Sequence, residues 1–470
     1  MVEPVHAAFS ASPSALFDVV VLRVRERFLQ LVESVGSAGL SMESEEAILA
    51  MTGDLAKALM ADAIRATDSG APVVECEGRL WKRLQQVTVG RYGTMYGEVE
   101  VRRPLYREAD VRNGEHLDLV AVRSNIRDGF TPKARAAIGH AVQAAPAREA
   151  HEIMESAGVL PYSRSTFLRV ADGLGADWCE VLKADPAALA GWDEDLLAKA
   201  VAIVVEVDRA SVAMAEPREP TAADIKNGIE RPINVNYRMS YCGAIALLDE
   251  EGETLDVLRT ADQPDDGDET VRATLRSWLL DARKRKPDLM VVTLGDGAAE
   301  MQNVLSAITV GQPVSARLTD WYHLTEYLAA AIRALGDGCG KTMRELQDDV
   351  FACRDGIDDV EAWFREQARK YPEGKAPEAV TAAARYIENH RHLMDYVGAK
   401  SKGLPIGSGL IEATCKTVIG VRMKRAGARW STAGAKHVLG LRALATSDER
   451  WEGSMVALER HYARTVRFAA

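Results

Sequence analysis

Apolar residues recur at helical spacing over the first part of the chain. They lie three or four positions apart, which predicts helices within residues 13–69. Between residues 84 and 107, apolar and polar residues alternate around glycines, and this pattern predicts a small β-hairpin. The N-terminal part of the protein is therefore expected to be mainly helical, with one small β element.

A second helical stretch follows the hairpin. The pattern predicts one helix over 133–144, a second over 147–156, and a third that begins after Ser163, a suitable N-cap. Three short helices with a turn before the last resemble a helix-turn-helix, in which Arg164 and Arg169 of the third helix would contact DNA. The alternative is a plain helical bundle without a DNA-binding role.

The centre of the chain contains β-branched runs that are typical of buried strands. The expected strands are 200–208, 233–250, 254–261, 289–296 and 314–320, and the expected helices between and after them are 269–286, 298–308 and 321–335. This order of strands and helices is that of a ribonuclease-H-like domain, an α/β fold with a mixed sheet and flanking helices. Residues 340–400 have a helical pattern throughout, which predicts an all-helical insertion before the last helices.

These patterns divide the chain into consecutive regions. They are an N-terminal helical region (1–80), a small β-hairpin region (81–125), a helix-turn-helix-like region (126–185), the first part of a catalytic core (195–337), the helical insertion (338–402), the last helices of the core (403–447) and a C-terminal tail (448–470).

Composition narrows the class of protein. The 470 residues are 47% hydrophobic and 27% charged, which is ordinary for a globular protein, and the length predicts two or three domains. No run is long and apolar enough for a membrane helix, and no basic region precedes an apolar core as in a secretory signal. The six scattered cysteines include no CxxC pair, which favours a reducing cytosol over a structural zinc site. We therefore expect a cytoplasmic protein.

One segment stands apart from the acidic balance of the chain. The formal net charge is −11, which weighs against nucleic-acid binding by the whole surface but not against a local basic groove. Residues 403–430, "GLPIGSGLIEATCKTVIGVRMKRAGARW", place Glu412 after a Gly-Ser-Gly turn, and no acid follows between Ala413 and Ser447. The basic residues of that acid-free stretch are Lys416, Arg422, Lys424, Arg425, Arg429, Lys436 and Arg442.

Three carboxylates have positions suited to catalysis. Asp208 is expected at the end of the first central strand, Asp296 at the end of the fourth, and Glu412 in the first turn of a helix. Strand ends present side chains to a ligand in an open α/β sheet. Two-metal phosphoryl transfer needs converging carboxylates, which are the ligands that Mg²⁺ and Mn²⁺ prefer. Each acid also has an ordinary structural explanation: Asp208 could end a strand, Asp296 could belong to an Asp-Gly turn, and Glu412 could pair with Lys416.

The sequence around these acids resembles a known family. The segment 403–430 is similar to the region of the last catalytic acid in bacterial insertion-sequence DDE transposases of the Kra and Lre types, which are similar to eukaryotic Mutator-like transposases. "VVEVDRASVAM" resembles the first-acid strand, "VVTLGDGAAEMQ" the second, and "LTDWYHLTEYL" an Asp-x-x-His segment that follows it. The resemblance covers about residues 200–445, and residues 403–430 are its most specific part.

The resemblance implies a DNA transposase that binds the terminal repeats of an insertion sequence and catalyses strand cleavage and strand transfer. Asp208, Asp296 and Glu412 would be the catalytic acids and would hold two Mg²⁺ or Mn²⁺ ions. The expected partners are double-stranded DNA, both element ends and target, and further copies of the chain in a dimer or higher oligomer. A nucleoid-associated cytoplasmic location follows.

Other residues take supporting roles in this hypothesis. Asp320 and His323 are expected near the site, with positioning favoured over metal ligation. The DNA contacts are expected from Lys416, Arg422, Lys424, Arg425, Arg429 and Trp430, although a Trp between two helices is more often part of a core. Two departures from the family are visible. "PLYREADVRNGEHLD" lacks the closely spaced cysteines of some relatives, and Ala298, Ala299 and Glu300 stand where many relatives have a large aromatic residue.

Two other functions remain open at this point. A haloacid-dehalogenase-like phosphatase also uses an Asp at a strand end, but it needs a second Asp two residues later, where this chain has Ala210. A domesticated, non-catalytic DNA-binding protein could keep the transposase fold. The presence of all three acids gives no sign of such decay.

Overall fold

The computed structural model describes residues 15–187, 191–336 and 339–468, which form a mixed α/β protein with two separate β-sheets. The chain divides into two units, one comprising residues up to Asp177 together with those from Met455, and the other comprising Trp178–Ser454. No helix in the described ranges is both long and apolar enough to cross a lipid bilayer.

The helices of the first unit follow the predicted pattern. They are α1 (Ala15–Ala38), α2 (Met42–Ala66), α3 (Leu119–Arg123), α4 (Pro132–Ala144), α5 (Ala147–Ser156) and α6 (Arg164–Ala184), the last of which ends in the second unit. Ser163 precedes α6, and its Oγ accepts a hydrogen bond from the Thr166 amide at 3.3 Å. The expected N-cap is thus observed. The three helices α4 to α6 are present as the sequence indicated.

The sheet of the first unit is larger than the expected hairpin. Its strands are β1 (Val73–Cys76), β2 (Arg79–Thr94), β3 (Gly97–Glu108), β4 (His116–Leu117) and a C-terminal strand (Val466–Phe468). All neighbouring strands are antiparallel, and the C-terminal strand pairs with β1. The described residues of the predicted C-terminal tail are thus structured, since they include a helix (Arg450–Tyr462) and this edge strand. Three residues are too short a run to show a period in sequence.

The second sheet contains the five strands predicted for the centre of the chain. They are β5 (Ala202–Pro217), β6 (Ile233–Leu248), β7 (Thr254–Ala261), β8 (Met290–Gly295) and β9 (Ala316–Thr319). Their order is β7-β6-β5-β8-β9. β6 is antiparallel to both β5 and β7, whereas β8 runs parallel to β5 and β9 parallel to β8.

The first central strand is longer than expected. The prediction that Asp208 ends this strand is wrong, because β5 continues to Pro217 in register with β6. Beyond Asp208, Val212 and Met214 are buried in a cluster with Ile419 and Met423 of the C-terminal helical region. The apolar alternation after Asp208 thus belongs to a strand with one covered face.

The helices from Glu194 to Thr446 pack against this sheet or form a separate helical core beside it. They are α7 (Glu194–Lys199), α8 (Ala222–Lys226), α9 (Glu269–Arg285), α10 (Ala299–Ile308), α11 (Trp321–Leu335), α12 (Met343–Ala352), α13 (Gly356–Arg369), α14 (Glu378–His390), α15 (Tyr396–Lys400), α16 (Gly409–Thr414), α17 (Val421–Met423) and α18 (Thr432–Thr446). Short 3₁₀ turns lie at Pro264–Asp266 and Arg391–Leu393, and a π-helix joins α16 to α17 over Cys415–Gly420. α9 packs against β6, where Gly243 leaves room for Leu275.

The segment between α11 and α16 contains helices and no strand within its described residues, as the sequence predicted. α12, α13, α14 and α15 share a core with α11 in which Phe364 and Tyr396 are fully buried. Trp321, at the start of α11, packs edge-to-face on Tyr396 at a centroid distance of 5.3 Å. This second core gives the helical segment its own stabilisation beside the sheet.

Candidate active site

Asp208 lies in the middle of the central strand β5. Its side chain is partly buried, and the residue lies opposite Cys242 of β6 in the antiparallel register. Oδ1 accepts the Arg209 amide at 2.7 Å, and the thiol of Cys415 donates to Oδ2 at 3.3 Å. A thiol is a weak hydrogen-bond donor, and neither of these two contacts is an ion pair.

Asp296 follows the end of β8. The parallel pairing of β5 with β8 ends at Glu206 and Leu294, and Asp296 follows Leu294 by two residues, as Asp208 follows Glu206. Asp296 Oδ1 accepts the Ala298 amide at 2.8 Å, which closes a turn at the strand end. Gly297 occupies that turn with φ +86°, and a Cβ there would lie 2.8 Å from atoms of Thr319 and His390. Glycine is therefore required by both conformation and space.

The helical segment supports this turn. His390 at the end of α14 places Nε2 3.0 Å from the Gly297 carbonyl oxygen and Nδ1 2.8 Å from the Tyr386 carbonyl oxygen. The Tyr386 hydroxyl donates to the Asp296 carbonyl oxygen at 3.2 Å. The position of Asp296 thus depends on contacts from the helices inserted between the second and third candidate acids.

Glu412 lies in the short helix α16, on the side of the sheet that Asp208 faces. Its side chain is 50% exposed, and its Oε2 lies 3.7 Å from Lys416 Nζ. This is the i,i+4 pairing that the sequence suggested as an ordinary structural role for the residue. At this exposure and distance such a pair contributes little to stability, roughly 0.2–0.5 kcal/mol.

Two buried carboxylates hold the Gly-Ser-Gly turn and the first residues of α16. Glu206 of β5 accepts the Ile411 amide at 2.8 Å. Asp320 accepts the Ser408 hydroxyl at 2.8 Å and the Ser408 amide at 3.2 Å, and it also caps α11 by accepting the Tyr322 amide at 3.0 Å. Each of the two acids is 1% exposed. We call Glu206 and Asp320 the buried pair.

The charge state of Glu206 reflects its surroundings. Burial raises the pKa of Glu206 to about 8, the Ile411 amide opposes this shift, and the negative charges of Asp320 and Glu412 add to it. The raised pKa favours the uncharged form of Glu206, which limits the repulsion among the carboxylates near α16.

The glycine turn before Glu412 fits closely against α11. A Cβ on Gly407 would lie 2.6 Å from the Tyr322 ring, whereas a Cβ on Gly409 would meet nothing within 4 Å. Of the two glycines, only Gly407 is required by space. The turn is thus fixed by a close approach at Gly407 and by the hydrogen bonds of Ser408 to Asp320.

The three candidate acids lie on elements that contact or pair with one another, but their side chains are not arranged as a metal site. Glu206 and Asp208 lie two positions apart on one face of β5, Ile411 and Cys415 of the Glu412-bearing segment contact them, and the β8 register leads to Asp296. Within the described residues, no group of three or more His, Cys, Asp or Glu side chains is arranged to hold a metal ion. We call Asp208, Asp296 and Glu412 the three-acid set.

The predicted DNA contacts differ in exposure. Lys416, Lys424, Arg425 and Arg429 are exposed, whereas Arg422 is only 5% exposed. The Arg422 guanidinium lies 4.7 Å from the centre of the Trp430 ring. Trp430 donates its Nε1 hydrogen to the Met423 carbonyl oxygen at 3.1 Å and packs against the cluster under this region. In this conformation Arg422 and Trp430 are part of the packing and not of an open surface.

The other predicted site residues differ in their exposure and contacts. Asp320 is buried and His323 is 45% exposed, 4.0 Å from Glu326 Oε2, so the two do not share one environment. In the first unit, Arg164 and Arg169 are both exposed. Arg169 donates to the Asp128 carbonyl oxygen at 3.2 Å and lies over the Phe130 ring.

Several residues that build this site were not predicted from the sequence. Glu206 is signalled by a charged residue within the apolar run "VVEVD", two positions before Asp208 and hence on the same strand face. Ser408 lies inside the glycine turn itself. No local pattern could have found Tyr386 and His390, because they meet the Asp296 turn from about 90 residues away.

Comparisons with protein-family models, with curated proteins and with solved structures each found no match to the chain.

Proposed function

We propose that the protein is a DDE transposase with a ribonuclease-H-like catalytic core. The strand order β7-β6-β5-β8-β9, with three antiparallel strands followed by two parallel ones, supports this fold. A central strand, the end of its parallel neighbour and a later helix each carry one acid of the three-acid set. That distribution suits a site in which carboxylates from distant parts of the chain converge on one edge of the sheet.

A single observation carries the proposal. The segment with Glu412 lies on the strand with Asp208, because the Ile411 amide donates to Glu206 and the Cys415 thiol donates to Asp208. Glu412 lies between these two contacts in sequence. An acid that served only as a partner for Lys416 would not require a buried carboxylate to hold the backbone beside it.

The chemistry of the three-acid set fits Mg²⁺ or Mn²⁺, since all its donors are carboxylate oxygens. Asp208, Asp296 and Glu412 would hold the ions. Asp208 and Asp296 contact only amide or thiol donors among the hydrogen bonds described above, and Glu412 has a long ion pair at an exposed position. When bound, two such ions would activate the attacking oxygen and stabilise the leaving oxygen in phosphoryl transfer.

The protein groups around the acids would hold the DNA. Exposed Lys416, Lys424, Arg425 and Arg429 follow Glu412 in a stretch without acids, and they would contact phosphates on the strand that reaches the site. The buried pair fixes the turn that presents Glu412. The proposed substrates are double-stranded element ends and target DNA, bound by a dimer or a higher oligomer in the nucleoid.

Glu412→Gln tests the proposal, because it keeps side-chain size and removes one charge. We expect cleavage and joining of labelled DNA ends flanking the gene to fall by at least about 100-fold in Mg²⁺, as the loss of a metal ligand should exceed that of an outer partner. Binding in a gel shift should change little. Glu388→Gln is the matched control, since Glu388 is similarly exposed and paired with Arg365 at 2.9 Å.

The complementary variant is Lys424→Ala with Arg425→Ala. It should weaken binding to the same ends and reduce the salt dependence of binding, because phosphate contacts release counterions. Wild-type cleavage by Glu412→Gln would contradict the catalytic assignment. Specific binding by the wild-type protein without any metal-dependent cleavage would favour a domesticated DNA-binding protein, and phosphatase activity that requires Asp208 would favour the other enzyme class.

A further inference from the structure

Two thiols meet next to Asp208. Cys242 of β6 is fully buried, Cys415 at the start of the π-helix is partly buried, and their Sγ atoms are 2.9 Å apart. Cys415 is three residues after Glu412 and also donates to Asp208. The pair therefore joins a strand of the sheet to the helical segment that carries the third candidate acid.

The separation of the sulfurs is short for two thiols. A disulfide bond is about 2.05 Å long, so the two Sγ atoms need to approach by less than an ångström to bond. The two residues are 173 positions apart in sequence, and both belong to the second unit of the chain. We propose that Cys242 and Cys415 form a reversible disulfide that fixes the segment with Glu412 to the sheet.

The chemistry balances with a hydroperoxide as the oxidant. The Cys415 sulfur, the more accessible of the two, attacks the peroxide oxygen and becomes a sulfenic acid, while the peroxide leaves as an alcohol or water. The Cys242 sulfur then displaces the sulfenic oxygen as water. Two S–H bonds and one O–O bond are broken, and one S–S bond and two O–H bonds form. The sulfurs lose two electrons to the peroxide oxygens.

The bond would change the surroundings of the candidate site. Cys415 would lose the hydrogen that it donates to Asp208 Oδ2. The disulfide would also tie the segment 409–420 covalently to β6, so that Glu412 could move less. This consequence for catalysis rests on the proposed function, whereas formation of the bond does not.

The test uses the full-length protein without DNA or added metal. The protein is treated with hydrogen peroxide, remaining thiols are alkylated, and the digest is mapped by mass spectrometry without reduction. We expect peptides containing Cys242 and Cys415 to appear joined, lighter by two hydrogen atoms, and to separate on addition of dithiothreitol. Cys242→Ala and Cys415→Ser should each abolish this linked peptide. Cys353→Ser, which alters an exposed cysteine, should leave it intact.

A second readout follows restraint of the segment. Hydrogen exchange of amides in residues 409–420 should slow in the oxidised wild-type protein and should not slow in Cys415→Ser. Over-oxidation of Cys415 without a linked peptide, or linkage of Cys415 to another cysteine, would overturn the proposed disulfide. A linked peptide without slower exchange would overturn its role in restraining the segment. Both readouts are independent of DNA cleavage, so their failure is distinct from failure of the proposed function.

Discussion

The buried pair and the three-acid set are both made of carboxylates on the second sheet or on helices next to it, yet the buried pair and Glu412 are held in opposite ways. Glu206 and Asp320 are each 1% exposed and accept amide or hydroxyl hydrogens from the glycine turn and α16. In contrast, Glu412 is 50% exposed and has a distant Lys416 as its ion-pair partner.

This difference separates acids that position the chain from acids that are open to a ligand. A buried acid whose oxygens already accept backbone hydrogens is committed to holding the chain. An accessible acid with weak or distant partners keeps lone pairs for a cation. Under the proposed function, burial alone would select the wrong acids, since Glu206 and Asp320 already accept hydrogen bonds that hold the turn and α16.

The largest effect on stability should come from Asp320→Ala. It leaves the Ser408 hydroxyl, the Ser408 amide and the Tyr322 amide without their acceptor, at a cost of roughly 2–4 kcal/mol in unfolding free energy. Urea unfolding measures this. Asp193→Ala is the control, because Asp193 caps α7 at an exposed position, and its loss should cost about 1 kcal/mol. Equal losses in the two variants would break the comparison.

Glu206→Gln should change how stability depends on pH. The pKa of Glu206 is raised from 4.5 to about 8, so the folded protein holds a proton that the unfolded chain releases above pH 4.5. Stability from this group is therefore present below pH 4.5 and decreases as pH rises to about 8, by at most about 1.4 kcal/mol per pH unit. The variant should remove this slope.

Urea unfolding between pH 5 and 8, in chelator, checks the Glu206 prediction. Glu216→Gln serves as a control on the same strand, because hydrogen bonds from Arg238 and Asn236 lower the pKa of Glu216 and so place its titration below this window. An unchanged slope in Glu206→Gln would mean that Glu206 is already ionised and is not part of a buried, protonated support.

Gly407→Ala should have a smaller effect. The added methyl group would lie 2.6 Å from the ring of Tyr322, which must move aside, at a cost of about 1 kcal/mol. Gly409→Ala has open space and should change unfolding free energy by a few tenths of a kcal/mol at most. Thermal unfolding of the two variants sharpens the comparison, since only the first disturbs the turn held by the buried pair. A larger loss from Gly409→Ala would contradict this view of the turn.

The smallest effect on stability is expected from Lys416→Ala. The exposed pair with Glu412 contributes roughly 0.2–0.5 kcal/mol, so the unfolding midpoint should hardly move. Under the proposed function, the salt dependence of DNA binding should decrease by about the amount that one phosphate contact contributes. A destabilisation comparable to that of Asp320→Ala would place Glu412 with the structural acids.

The sequence predicted the elements better than their extent. The strands and helices of the central sheet were predicted because buried β-branched runs and helical periods extend over many residues. The continuation of β5 past Asp208 was missed because its support comes from distant residues. β6 pairs with the run "RASVAM", Trp430 bridges Met214, and residues from the far end of the chain cover one face. The C-terminal strand was missed because its pairing with β1 leaves no local pattern.

Residues of the candidate site could be predicted where a suitable acidic side chain lies next to a recognisable turn or helix start. Asp296 begins an Asp-Gly turn, Glu412 follows a Gly-Ser-Gly turn, and Asp320 caps a helix. The contacts that fix the Asp296 turn come from Tyr386 and His390, which are distant in sequence. The burial of Arg422 beneath Trp430 also depends on tertiary packing, so a basic residue in a basic run could not be assigned to the surface from sequence alone.

The central claim is that Asp208, Asp296 and Glu412 together bind divalent cations. Anomalous diffraction from crystals grown with Mn²⁺ and a short element-end DNA tests it most directly. We expect Mn²⁺ peaks contacted by oxygens of all three carboxylates, with Glu412 turned away from Lys416. Glu206 should still accept the Ile411 amide, and Asp320 should still bind Ser408. Saturating Mn²⁺ that binds elsewhere, while Glu412 remains paired with Lys416, would contradict it.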